Sequence, residues 1–171
     1  MFKSREQAAW KPVFSMRKSI SILLALAVAV SASDDKTDRA TLRGIKSVCT
    51  IVEAGAPLSQ QRLQAEVDGR LLANGIALDP HATTCLYLNV RPLPAIGRNH
   101  KPVGLYALDL SLQFLQTVTL ARDPSLKGYA STWSVTNLAN VPADEVGSAA
   151  RQIAIDLVDQ FAAAYRSVNP K

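Results

Sequence analysis

The chain carries two histidines and two cysteines, so acid–base, nucleophilic or metal chemistry has few side chains to draw on. His81 and Cys85 lie close in sequence, with Asp79 nearby. Zinc sites use recurrent ligand spacings and four donors, and no fourth donor is evident, so a solvated histidine beside Pro80 is the favoured reading. His100 sits in "GRNHK" between prolines, where exposure is expected. Nucleophilic catalysis needs a nucleophile next to an oriented base. No G-x-S-x-G elbow and no glycine-rich phosphate cradle occurs. Asp156 and Asp159 share a helical face and could act as paired carboxylates, but a solvated helix surface accounts for them more simply. "RPLPAIGRNHKP" concentrates Arg91, Arg98, His100 and Lys101. It suits an anionic surface such as lipid headgroups or an acidic partner, against the plainer reading of a mobile basic loop. The residues therefore offer no catalytic, metal or cofactor-binding set. They offer one candidate ligand or anion loop, made of His81, Arg91, Arg98, His100 and Lys101.

Cys49 and Cys85 both fall on predicted strands. In an oxidising compartment an isolated pair favours a bridge, and directly opposed strand residues have compatible Cα separations. The other reading is two buried thiols acting as small apolar residues. Strand adjacency decides between them, and sequence does not supply it.

The compartment is read from "MRKSISILLALAVAVSAS", residues 16–33. Arg17 and Lys18 form a positive n-region, and Ile20 to Val30 is an apolar stretch too short for a bilayer core that needs roughly 20 residues. Small residues at 30–32 place a cleavage site after Ala32, and polar "SDDKTD" follows. No cysteine lies near this site, which argues against lipid attachment there. Residues 1–32 thus read as a signal peptide, with Met16 a candidate true start. An uncleaved anchor is the alternative, and it would be the sole membrane contact expected. The protein is expected in the periplasm or secreted.

The leader also carries the charge. The full chain is +5, but beyond Ser33 fourteen Lys or Arg face thirteen Asp or Glu. That leaves +1, so the electrostatic footprint of a nucleic-acid binder is absent.

About 138 residues remain, one domain by length. Residues 33–41 show no apolar period and are expected to be a flexible lead-in, with one α+β domain over 42–171. "IKSVCTIVE" is β-branched and apolar on both faces, an interior strand. Ser59 is a helix N-cap, Leu63, Val67 and Leu71 form one stripe, and Asn74-Gly75 stops the helix. Glu66 and Arg70 are spaced to pair on its outer side. "IALD" suggests a brief strand. "CLYLNVR" alternates, with Leu86, Leu88 and Val90 facing one way. "PLPAIGRNHKPVG" reads as a loop. Tyr106, Leu108, Leu110, Leu112, Phe114, Val118 and Leu120 share one parity, interrupted at Gln116, where a bend or bulge is expected. "RDPSLKG" reads as a turn, and "YASTWSV" as a strand with Tyr129, Trp133 and Val135 on one face. "NLANVP" reads as a turn before a helix whose first turn holds Asp144 and Glu145. Val146, Ala150, Ile153, Leu157, Phe161, Ala164 and Val168 repeat at helical spacing. This order predicts an α+β two-layer sandwich: a mostly antiparallel sheet, both helices on one face, and a wetter face bearing Asn89, Asp109, Ser111 and Gln113.

On "LRGIKSVCTIVE", "LQAEVDGRLLANGI", "LYLNV", "LQTVTLARDPS", "TW" and "DLVDQFAAAYRSVNPK", the chain resembles a group of small exported bacterial proteins of uncharacterised function. It departs from that pattern at Gly69 and at its cysteine pair. The element order is also similar to the amino-terminal domain of the TolB translocation protein. That resemblance implies a periplasmic binding or assembly module, not an enzyme. The expected function is a non-enzymatic envelope module that takes a protein partner at a sheet edge, with no cofactor. The alternative is a small hydrolase or ligand-binding protein, with His81, Arg91, Arg98 and His100 converging at the 79–104 loops.

Overall fold

The computed structural model describes residues 36–170. The leader, its start at Met16 and its cleavage after Ala32 lie outside the described residues. The elements in chain order are α1 (Lys36–Ala40), β1 (Ser47–Ala54), α2 (Gln60–Ala73), β2 (Ala77–Leu78), β3 (Cys85–Ile96), β4 (Pro102–Leu120), β5 (Asp123–Pro142) and α3 (Val146–Val168). One sheet runs β2-β1-β3-β4-β5. β1 is parallel to β2 and β3, while β3, β4 and β5 form an antiparallel meander. Parallel neighbours need a crossover, and α2 supplies it. The result is the expected α+β two-layer arrangement.

Period-2 strands and period-3.6 helices meet on one face. Leu86, Leu88 and Val90 from β3, and Leu108, Leu110, Leu112 and Phe114 from β4, are wholly buried. Leu63, Val67 and Leu71 of α2 close over one half of the sheet. Ala150, Ala154, Leu157 and Phe161 of α3 close over the other. Phe161 is the hub: its ring centroid lies 5.3 Å from Trp133 and 5.6 Å from Phe114. Ser59 caps α2, its Oγ accepting from the Arg62 N–H, and Gly75 takes the positive φ that ends the helix.

Several local expectations change in three dimensions. Residues 36–40, expected to be a flexible lead-in, form α1. The reason is Leu42, which is fully buried and draws the preceding turn onto the body. Asn169 at the end of α3 donates to the Leu42 carbonyl (2.9 Å) and accepts from the Gly44 N–H (2.7 Å). The expected loop 92–104 is mostly strand: β3 runs to Ile96 and β4 begins at Pro102, leaving only 97–101 as the connection. "NLANVP" likewise belongs to β5, and "RDPSLKG" is strand from Asp123 onward. Asp144 and Glu145 precede α3 rather than occupying its first turn.

The bulge lies one step from its expected place. β4 and β5 shift register between Phe114 and Leu115, with Trp133 opposite Phe114 and Ser131 opposite Leu115. Thr132 is the extra residue, and one extra residue inverts strand parity. Tyr129 is therefore not on the Trp133 face; it pairs with Thr117 on the opposite face and is 64% exposed. Glu66 and Arg70 do not pair with each other. Glu66 meets Arg62 and Arg151, and Arg70 meets Asp159, so both acids tie α2 to α3 or to its own first turn.

Candidate functional site

β3 fixes the positions of nearly every residue singled out in the sequence. His81 is exposed in the turn before this strand, its backbone N–H donating to Asp79 Oδ1 at 2.8 Å. His100 is exposed in the turn beyond the strand's other end. β3 is 12 residues long, so roughly 35 Å of strand separates the two imidazoles. They do not converge, and the pocket supposed at the 79–104 loops is not assembled. Asp156 and Asp159 also act separately: Asp156 accepts from Gln152, whereas Asp159 accepts two hydrogen bonds from the Arg70 guanidinium (2.6 and 2.7 Å). The guanidinium holds the Asp159 carboxyl below its usual value. Among the described residues, no three His, Cys, Asp or Glu side chains gather as metal ligands.

Cys49 and Cys85 form a disulfide, with Cα atoms 4.4 Å apart. They are register partners across the parallel β1–β3 pair. Both lie on the sheet face opposite the helices, because Val48, Val52, Leu86 and Leu88 of alternate parity are in the core.

That outer face is built from the other parity of each strand. Rows of cross-strand partners run Ile51–Tyr87–Gln113–Ser134 and Glu53–Asn89–Ser111–Thr136. The Tyr87 hydroxyl donates to Glu53 Oε2 at 2.7 Å and accepts from Asn89 Nδ2 at 3.2 Å. The Glu53 hydrogen bond, helped by partial burial, raises the phenol above its usual pKa. Next in line, Arg91 forms an ion pair with Asp109, its register partner. Of the basic loop set, Arg91 is thus occupied on the sheet, and His81 lies at the far end. Arg98, His100 and Lys101 remain together on the β3–β4 turn.

The two ends of the sheet differ. At the β1 end, β2 covers Ser47 and Val48. Beyond it, Gln64 of α2 reaches over the strand, its Oε1 accepting from the Val52 N–H at 3.1 Å. Gln64 Nε2 donates to Thr50 Oγ1 (2.7 Å) and Asp68 Oδ1 (3.0 Å), while the Thr50 hydroxyl donates to Asp68 Oδ1 (2.6 Å). A helix side chain thus occupies a backbone donor that would otherwise template another strand. At the other end β5 is the outermost strand, 20 residues long. Its first half and the end of β4 continue past Cys85, where β3 begins, as a two-stranded ribbon. Leu120, Leu126 and Tyr129 are exposed on this ribbon.

A surface groove of about 360 Å³ lies between the starts of α2 and α3, lined by Pro57, Leu58, Arg62, Ser148 and Arg151 among others. Both of its arginines are engaged by Glu66. Sequence reasoning missed three features: the Gln64 bridge, the interhelical ion pairs, and the exposed apolar groups at the β3–β4 turn. Each joins residues distant in sequence except the last, whose signal was the Leu93, Ile96, Val103 and Leu105 set lying among prolines.

The fold thus defines a two-layer α+β domain with one disulfide and no assembled catalytic set among its described residues. No family model matches the chain, and no curated protein matches it. Among solved structures it is similar to the rare lipoprotein B from Shewanella oneidensis, at 13% identity and a TM-score of 0.38, over 71% of this chain and 96% of that one. It is also similar to a minor lipoprotein from Acinetobacter baumannii, at 15% identity and a TM-score of 0.34, over 72% of this chain and 95% of that one.

Proposed function

We propose that the protein is an exported, non-enzymatic interaction domain of the cell envelope that receives a partner protein along β5. Export rests on the tripartite leader, and the Cys49–Cys85 disulfide is the chemistry of an oxidising compartment. The TolB-like element order read from the sequence would imply the same class of role. The observation that carries the reading is the asymmetry of the two sheet edges. β1 is covered by β2 and by Gln64, whereas β5 ends the sheet over 20 residues and runs on as a ribbon with exposed Leu126 and Tyr129. Strand addition uses main-chain hydrogen bonds for affinity and alternate side chains for specificity, and a long terminal strand offers both.

The test is site-specific photo-crosslinking in intact envelopes. Probes at Leu126 and Ser131 are expected to trap one recurrent partner, and probes at Leu72 on α2 are not. An absence of any specific product, or the same products from Leu72, would remove the reading.

A further inference from the structure

We propose that the β3–β4 turn docks on an anionic lipid bilayer. The turn is well braced. The Gly97 N–H donates to the Lys101 carbonyl at 2.8 Å, and the His100 N–H donates to the Gly97 carbonyl at 3.0 Å. His100 takes φ +57, the left-handed residue that lets a three-residue hairpin loop close. Val103 packs over Gly97, so closely that a Cβ on Gly97 would stand 2.8 Å from Val103 Cγ1.

This braced turn presents an unusual composition. Leu93 (54%), Ile96 (54%), Val103 (52%) and Leu105 (46%) are all exposed within one short ribbon. Arg98 and Lys101 project at its tip, and no acidic residue occurs from Pro92 to Leu108. The cationic zone has a defined inner limit. On the outer face it ends where Arg91 is neutralised by Asp109. Toward the helices it ends at Asp144 and Glu145, which follow Ala143, whose N–H donates to the Gly104 carbonyl. Asp109 therefore lies at the base of the ribbon, Asp144 and Glu145 stand beside it near the level of Gly104, and the cations occupy its tip beyond them. That order suits shallow insertion led by Arg98 and Lys101.

An acidic protein would satisfy Arg98 and Lys101 yet leave four apolar side chains needing a matched groove. A bilayer with anionic headgroups meets both needs at one surface: cations at the phosphates, apolar side chains at the acyl boundary. The proposal uses export but not β5, so its failure leaves the edge-strand reading standing.

The experiment is backbone hydrogen exchange of the whole chain, with vesicles of phosphatidylcholine alone or mixed with phosphatidylglycerol. Use of the whole chain makes any contribution of residues 1–35 common to parent and variants. Amides of 93–105 are expected to slow on the mixed vesicles and not on the neutral ones. Arg98→Gln and Lys101→Gln should each weaken affinity for the mixed vesicles about fivefold, the scale for one cation at an anionic surface, and high salt should erase the difference. Ile96→Ser with Val103→Ser should weaken binding at every salt concentration. Lys127→Gln, on the opposite ribbon, should change nothing. Unchanged far-UV circular dichroism and an unchanged thermal midpoint confirm that each variant is folded. The proposal is overturned by exchange that does not slow, by equal slowing on neutral vesicles, or by affinity indifferent to Arg98 and Lys101. Slowing without vesicles as protein concentration rises would also overturn it, because it would assign the ribbon to a second copy of the chain.

Discussion

Cys49 and Cys85 face each other across the parallel β1–β3 pair and are covalently joined on the sheet face away from the helices. Their bond encloses α2 and β2, the whole crossover that parallel pairing requires. The sequence separation is 36, for which the chain-entropy account gives about 4 kcal/mol of stabilisation through the unfolded state, and engineered cases often give less. The double variant Cys49→Ala/Cys85→Ala is expected to keep its sheet and lose up to that amount. Urea unfolding with and without reductant checks this: reductant should lower the parent's midpoint and leave the variant's unmoved.

Gln64 is predicted to hold the β1 edge. Replacing it by Ala leaves the Val52 N–H without its acceptor, at a cost of about 1–3 kcal/mol. Gln64→Glu should do no better, because a carboxylate cannot donate to Asp68 and repels it. Both variants should also self-associate more than the parent, since the freed edge can template pairing. Denaturant midpoints and light scattering report the two effects separately.

The Arg70–Asp159 pair gives a pH signature. Arg70 depresses the Asp159 pKa, so the native state binds this proton less readily than the unfolded chain. The contribution is complete above the unfolded carboxylate range, about pH 4, and is lost as pH falls through the lower native value. Asp159→Asn should therefore be less stable than the parent at neutral pH, with the gap closing in strong acid. Both side chains are well exposed, at 44% and 38%, so the effect is small and molar salt should shrink it. Thermal melts across pH decide it.

Phe161 should be the costliest single truncation. It is wholly buried and meets Phe114, Trp133 and Tyr165. Phe161→Ala is expected to cost about 3–5 kcal/mol, and to change Trp133 fluorescence as its edge-on neighbour disappears. A loss under about 1 kcal/mol would mean that the helix layer repacks freely over the sheet.

Whatever depends on near neighbours in the chain was legible in the residues alone. The Leu63–Val67–Leu71 stripe, the Ser59 cap, the Gly75 stop and the alternation through Leu112 are local patterns, and each acquired the element it specified. So did the two-layer class, because those apolar periods have one economical way to share a core. Tertiary structure decided what depends on partners far along the chain. Adjacency of β1 and β3 turned two cysteines into a bridge. One extra residue, Thr132, sent Tyr129 to the face opposite Trp133. Glu66 and Arg70 passed over each other for Arg151 and Asp159 on α3, since a facing helix offers closer geometry than the next turn. The two histidines, nineteen positions apart in the chain, stand at opposite ends of β3 because an extended strand lengthens by about 3.3 Å per residue. Sequence proximity is spatial proximity only where the backbone turns back, and that is a property of the fold.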